Sequence, residues 1–151
     1  MSRSRTVLWV VGVAAALAVA GVAVSQGASP VEQRQATMKH VGQQMKEGGA
    51  FTSAQNPFDA VKVKALMDGV AADANKLKGL YPPGSGADPK PAADPKIWQD
   101  KADFDKRLTE MARLADAAGK TTSTDAFKPA FSALGATCKS CHDIYRKKKT
   151  A

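Results

Sequence analysis

An all-α chain folded as an antiparallel four-helix bundle is what this sequence predicts, and three observations predict it. Four stretches after residue 29 carry apolar residues at steps of three and four. None of them shows the strict alternation of a half-buried strand. The first three are bounded by proline in the opening turn and glycine near the close, and the fourth opens on Ser123 or Thr124. Four amphipathic helices of about 20 residues, joined by short or extended connections, pack most simply as such a bundle.

The first 25 residues stand apart from it. "MSRSR" is a short basic segment, and Thr6 to Val24 is an uncharged apolar run followed by small and polar residues, "SQGAS". That order reads as a secretory signal peptide over 1–25, with the bundle domain over 26–151. The apolar run approaches membrane-spanning length, so an uncleaved anchor is the alternative. On either reading the rest of the chain is exported.

The first helix starts near Pro30 and puts Val31, Met38, Val41 and Met45 on one stripe, until "EGGAF" breaks it. The second opens with "NPFD", Asn56 capping and Pro57 in the first turn, and carries Val63, Leu66, Val70, Ala74 and Leu77. Residues 81–96, "YPPGSGADPKPAADPK", have no periodicity and read as a long connection. Asp94 then caps a third helix with Pro95 in its first turn, an inward stripe of Ile97, Phe104, Leu108, Met111, Ala115 and Ala118, and Gly119 at its close. The fourth runs from Ser123 or Thr124, its stripe being Phe127, Phe131, Leu134, Cys138, Cys141 and Tyr145. Pro129 should kink that helix or delay its start.

The formal charge of the whole chain is +8, and removing Arg3 and Arg5 with the leader leaves 20 basic against 14 acidic side chains, a net +6. Export argues against nucleic acid and for an acidic protein partner. The chain has two cysteines, and a disulfide between them would close a very small loop and strain a helix.

Both cysteines lie in "ATCKSCHDIYR", residues 136 to 146. Positions three and four apart share one helix face, so Cys138, Cys141 and His142 present two sulfurs and an imidazole to one region. C-x-x-C-H is the pattern of c-type haem attachment: two thioethers anchor the porphyrin edge and the adjacent histidine reaches the iron. A thioredoxin-like pair would need a βαβ setting, which the pattern lacks. A structural zinc site needs four ligands, and only His40 remains to join these three. A bland pair of core cysteines is the other alternative.

The chain resembles the class II c-type cytochromes, the cytochrome c prime family. "RQATM" in the first helix, "NPFDAVKVKALM" opening the second, "DPKIW" opening the third and the C-terminal "CKSCHDIYRKKK" carry the likeness. Class I cytochromes c place the haem motif near the N-terminus instead. The resemblance implies haem held between the helices of the bundle, His142 as proximal iron ligand, a periplasmic location and frequent homodimers.

In that family the residue over the distal face of the haem lies four positions after an arginine that is followed by glutamine. Here Arg34 and Gln35 put Met38 there, as in a low-spin His/Met branch, whereas gas-binding members carry an apolar residue at that point. Methionine is also a common core filler. Met45 is two helical turns further on, about 10 Å along the axis, and His40 is turned to the opposite face as a surface histidine. Arg34 faces the helix seam, where a haem propionate assisted by Gln35 would satisfy it, or where it reaches water by its long side chain. Arg146 matches a basic residue that the family places beside the proximal histidine, and with Lys139 the run "RKKK" forms either a solvated helix end or a docking patch for an acidic redox partner. Trp98 and Phe104 read as core aromatics.

The expectation is therefore a periplasmic monohaem cytochrome with one covalent haem c and its iron, no enzyme, shuttling single electrons through a His142/Met38-ligated centre. The alternative is an open, five-coordinate site that binds NO or CO beside Met38. A membrane-tethered form of the first follows only if the leader is uncleaved.

Overall fold

The computed structural model describes residues 27–53, 56–86 and 92–147, so the expected leader over 1–25 lies outside the described residues. The helices are α1 (Pro30–Gly49), α2 (Ala60–Lys78), a single turn α3 (Lys96–Gln99), α4 (Lys101–Gly119) and α5 (Thr124–Tyr145), with a 3-10 turn over Ala50–Thr52. Among the described residues the extended pairing is one isolated antiparallel bridge, Ala93 with Arg146. The four long helices are the expected bundle.

Local chemistry fixes the helix starts. At α1 a capping box closes on itself: the Ser29 backbone N–H donates to Glu32 Oε2 at 2.8 Å, and the Glu32 N–H donates to Ser29 Oγ at 3.2 Å. Pro30, in the first turn, gives up a donor that the helix would leave unused. The cap of α2 is Asp59 rather than Asn56; Asp59 Oδ1 accepts from the Lys62 N–H at 3.0 Å. Asn56 instead donates its side-chain amide to the Ala50 carbonyl at 2.9 Å, and Phe58 turns toward Phe127, 5.9 Å away, before the helix begins.

The expected third helix is broken in two. Pro95, not the expected Asp94, stands at the cap of its first turn, although Asp94 Oδ1 accepts from the Lys96 N–H at 3.0 Å. The helix ends after one turn, however, because Asp100 leaves helical backbone geometry (φ −131°, ψ 60°) and uses its carboxylate to cap α4 at the Asp103 N–H. The break turns Ile97 fully into the core. Ser123 caps α5 as expected, and Pro129 does not delay it: the helix runs from Thr124 through the proline. The acceptor that loses its partner, the carbonyl of Asp125, belongs to an exposed residue where water serves.

Two apolar clusters fill the bundle. The first joins Val63, Met67, Val70 and Ala74 of α2 to Ala115 and Ala118 of α4 and to Phe127 and Leu134 of α5. The second gathers Leu77, Tyr81, Ile97, Phe104, Leu108 and Tyr145, with Met38 and Cys141 packed against it. Helix α2 packs on α4, α4 on α5 and α1 on α2, while α1 and α5 touch little. The face that α1 buries is rotated from the expected stripe: Arg34, Thr37, Val41, Gln44 and Gly48 are buried, and Val31, Met38 and Met45 only half so.

Gly48 is packed tightly against the first cluster. A Cβ there would meet the Phe131 ring at 2.9 Å and the Met67 methyl at 3.2 Å. Gly48→Ala is expected to lower stability by about 1–2 kcal/mol, because overpacking outweighs alanine's better helix propensity. Thermal denaturation would show the loss as a drop in Tm. Further on, Gly84 (φ +80°) permits the turn in which the Ser85 N–H donates to the Pro82 carbonyl at 3.2 Å.

Candidate haem-binding site

Cys138 and Cys141 project from the last two turns of α5, unbridged and half-buried. The sequence pattern expects them in the core; they sit instead at its edge, on a helix that α1 barely covers. Cys138 Sγ lies 3.8 Å from the Leu134 carbonyl, and Cys141 rests on the second cluster. Burial pushes both thiols above their ordinary range. His142 is exposed beside them. Desolvation first, and then the Arg146 charge, holds its imidazole below the usual histidine range, so the ring stays neutral and keeps a lone pair for a metal.

Met38 reaches the same second cluster from α1. One apolar patch is thus flanked by a methionine from one helix and a cysteine of the C-x-x-C-H segment from another. Two thiols three residues apart, an adjoining neutral imidazole and an apolar bed are the donor set that a covalently attached porphyrin requires. The zinc reading gains nothing, since among the described residues no three His, Cys, Asp or Glu side chains are assembled to hold a metal ion. His40 is exposed, as expected of a surface histidine, and its Nδ1 lies 2.7 Å from Asp73 Oδ2.

Arg34 is 5% exposed and has partners on the connection after α2. It donates to Ser85 Oγ at 3.1 Å and to the Ser85 carbonyl at 2.8 Å, and its guanidinium stands 5.0 Å from the Tyr81 ring centre and 5.7 Å from that of Trp98. Arg34 is buried rather than reaching water, and the connection between α2 and α3 supplies two acceptors and a π-face for its guanidinium. Gln35 is exposed, one helical step away from that face. Trp98, half-buried, donates its indole N–H to the Pro82 carbonyl at 2.9 Å, and Phe104 is buried as expected. Arg146 is exposed at the end of α5, and Lys139 is paired with Asp143 at 2.6 Å.

Sequence reasoning missed one assembly. Asp103 Oδ2 accepts from Arg107 Nε at 2.6 Å and from the Tyr145 hydroxyl at 2.7 Å, directly beside the haem motif. Its signals were the four-residue spacing of Asp103 and Arg107 and the place of Tyr145 one turn after Cys141.

The family model described as Cytochrome C' matches residues 29–146, which takes in all four long helices and the whole C-x-x-C-H segment. The chain belongs to the cytochrome c' family. A cytochrome c' of Rhodopseudomonas palustris is 37% identical over 131 residues, covering 86% of this chain and 89% of that protein. A cytochrome c-556 of the same organism is 34% identical over 154 residues, covering 96% and 98%. The solved cytochrome c' of Rhodopseudomonas palustris superposes with a TM-score of 0.75 at 34% identity, over 82% of this chain and all of that one. Covalent haem c with its iron is accordingly the cofactor, in a protein of electron transport or gas binding. The cytochrome c' name, carried by the family model and the solved structure, fits an open distal site better than the His/Met-ligated one expected from the sequence. No described helix is long and apolar enough to cross a membrane.

Proposed function

We propose that this cytochrome c' family member is a periplasmic electron carrier, not an enzyme, in which Cys138 and Cys141 would hold haem covalently and His142 and Met38 would ligate its iron. The observation that carries this reading is that Met38 and Cys141 pack on one apolar cluster from different helices. Bound haem c supplies a one-electron Fe(III)/Fe(II) couple. The chain's own residues would do the rest: the cysteines would anchor the group, the neutral imidazole of His142 would offer its lone pair, and the soft thioether of Met38 would favour the reduced metal. The buried Leu77, Phe104 and Leu108 keep water from that side, and Arg34, tied to Ser85, holds the turn of α1 that carries Met38. An acidic redox partner and a homodimer belong to the same proposal, the first on the basic net charge of the chain.

Met38→Ala tests it. The unmutated protein should show a low-spin ferric spectrum with a methionine-sulfur charge-transfer band and no CO binding after reduction, and the variant should lose the band and bind CO. The names of the relatives favour a second reading, in which Met38 only lines an open site for NO or CO. A high-spin spectrum and ready CO binding before any mutation would establish that reading instead.

A further inference from the structure

The Asp103, Arg107 and Tyr145 assembly lies outside the ligand set, with Asp103 and Arg107 on α4 and Tyr145 on α5, one turn after Cys141. Tyr145 follows Cys141 by four residues, which places the two on one helix face, and both belong to the second cluster. Its ring is 5% exposed and stands edge-on to Phe104 at 5.3 Å. A phenol buried so far needs a hydrogen-bond partner, and a neutral acceptor would suffice. The chain uses a carboxylate, and sets against that carboxylate a guanidinium whose centre is 5.9 Å from the same tyrosine ring.

We propose that Asp103 and Arg107, coupled to α5 through the Tyr145 hydroxyl, form a balanced charge pair that sets the reduction potential of the haem iron. They are positioning residues that act through the field at the attachment site; neither touches the iron. The inference rests on haem being attached at Cys138 and Cys141. Two bonds, from Arg107 and then from Tyr145, hold Asp103 below the usual carboxylate range, so the carboxylate is charged and the pair is neutral as a whole.

Breaking a neutral pair leaves whichever charge remains. Asp103→Asn leaves a cation beside the site, which disfavours Fe(III) over Fe(II), and the midpoint potential should rise. Arg107→Gln leaves an anion and should lower it. Arg107→Lys keeps the sign and should hold the potential near its original value, as should the double variant Asp103→Asn/Arg107→Gln. Both side chains are about one-third exposed, so the single-variant shifts should shrink as salt is raised.

The test is a spectroelectrochemical titration of the haem-loaded protein and these four variants at low and high ionic strength. Opposite shifts that cancel in the double variant establish the proposal. Shifts of one sign, or none, overturn it, since a merely structural role would perturb the site alike from either partner. Visible absorption and intact mass, recorded first, show whether haem is attached; their failure would count against the attachment reading and not against the charge pair.

Discussion

Cys138→Ala combined with Cys141→Ala is expected to remove all haem that survives denaturation. Covalent attachment is the one interaction here that unfolding cannot reverse, because thioether bonds persist when the helices that brought the two sulfurs together have melted. Without them retention would rest on the His142 imidazole and the apolar patch around Leu77, Tyr81 and Leu108. That patch lies along a flank where α1 and α5 touch little. The check is intact mass under denaturing conditions, on protein from a host able to mature c-type cytochromes. The parent should carry the added mass of one haem and the double variant only its polypeptide mass. Either single variant keeps one thioether and should retain the mass at reduced yield. His142→Ala should retain it too and lose the normal axial-ligand spectrum. Haem mass persisting in the double variant would mean that attachment is elsewhere.

Much of this was legible in the residues because the governing interactions are local. The periodicity of α2, with Val63, Val70, Ala74 and Leu77 buried as expected, needs only a repeat of 3.6 and one apolar neighbour. The haem motif is legible for the same reason: three side chains within five residues of one helix have their mutual placement fixed by the helix itself. Partners brought from afar were not legible. Arg34 showed its burial in the stripe of α1, but nothing near it announced Ser85, 51 residues on in a loop without periodicity. Asp100 looked like one more polar position inside a helix, and only the competition of its carboxylate for the Asp103 N–H makes it a break. Tyr145 was read as a core aromatic, correctly for its ring, while its hydroxyl found Asp103 across 42 residues of sequence.

Phe104→Ala should be the most damaging single truncation near the site, at about 3–5 kcal/mol, or roughly 10–15 °C in Tm for a domain of this size. Phe104 is 2% exposed and stands edge-on to Tyr81 at 4.7 Å and to Tyr145 at 5.3 Å. One ring therefore joins α4 to the connection after α2 on one side and to α5, which carries the C-x-x-C-H segment, on the other. Alanine would leave a cavity that rigid neighbours on three elements cannot fill, and would free Tyr145 to move off Asp103. Phe127→Ala supplies the comparison. Its ring is equally buried, but in the first cluster against Phe58 and Phe131, with no contact to that tyrosine. Both variants should lose similar stability in thermal melts, whereas only Phe104→Ala should also shift the midpoint potential of the haem. A Phe127→Ala protein with an equally displaced potential would show that general loosening of the bundle, rather than the aromatic contact beside Tyr145, transmits packing to the iron.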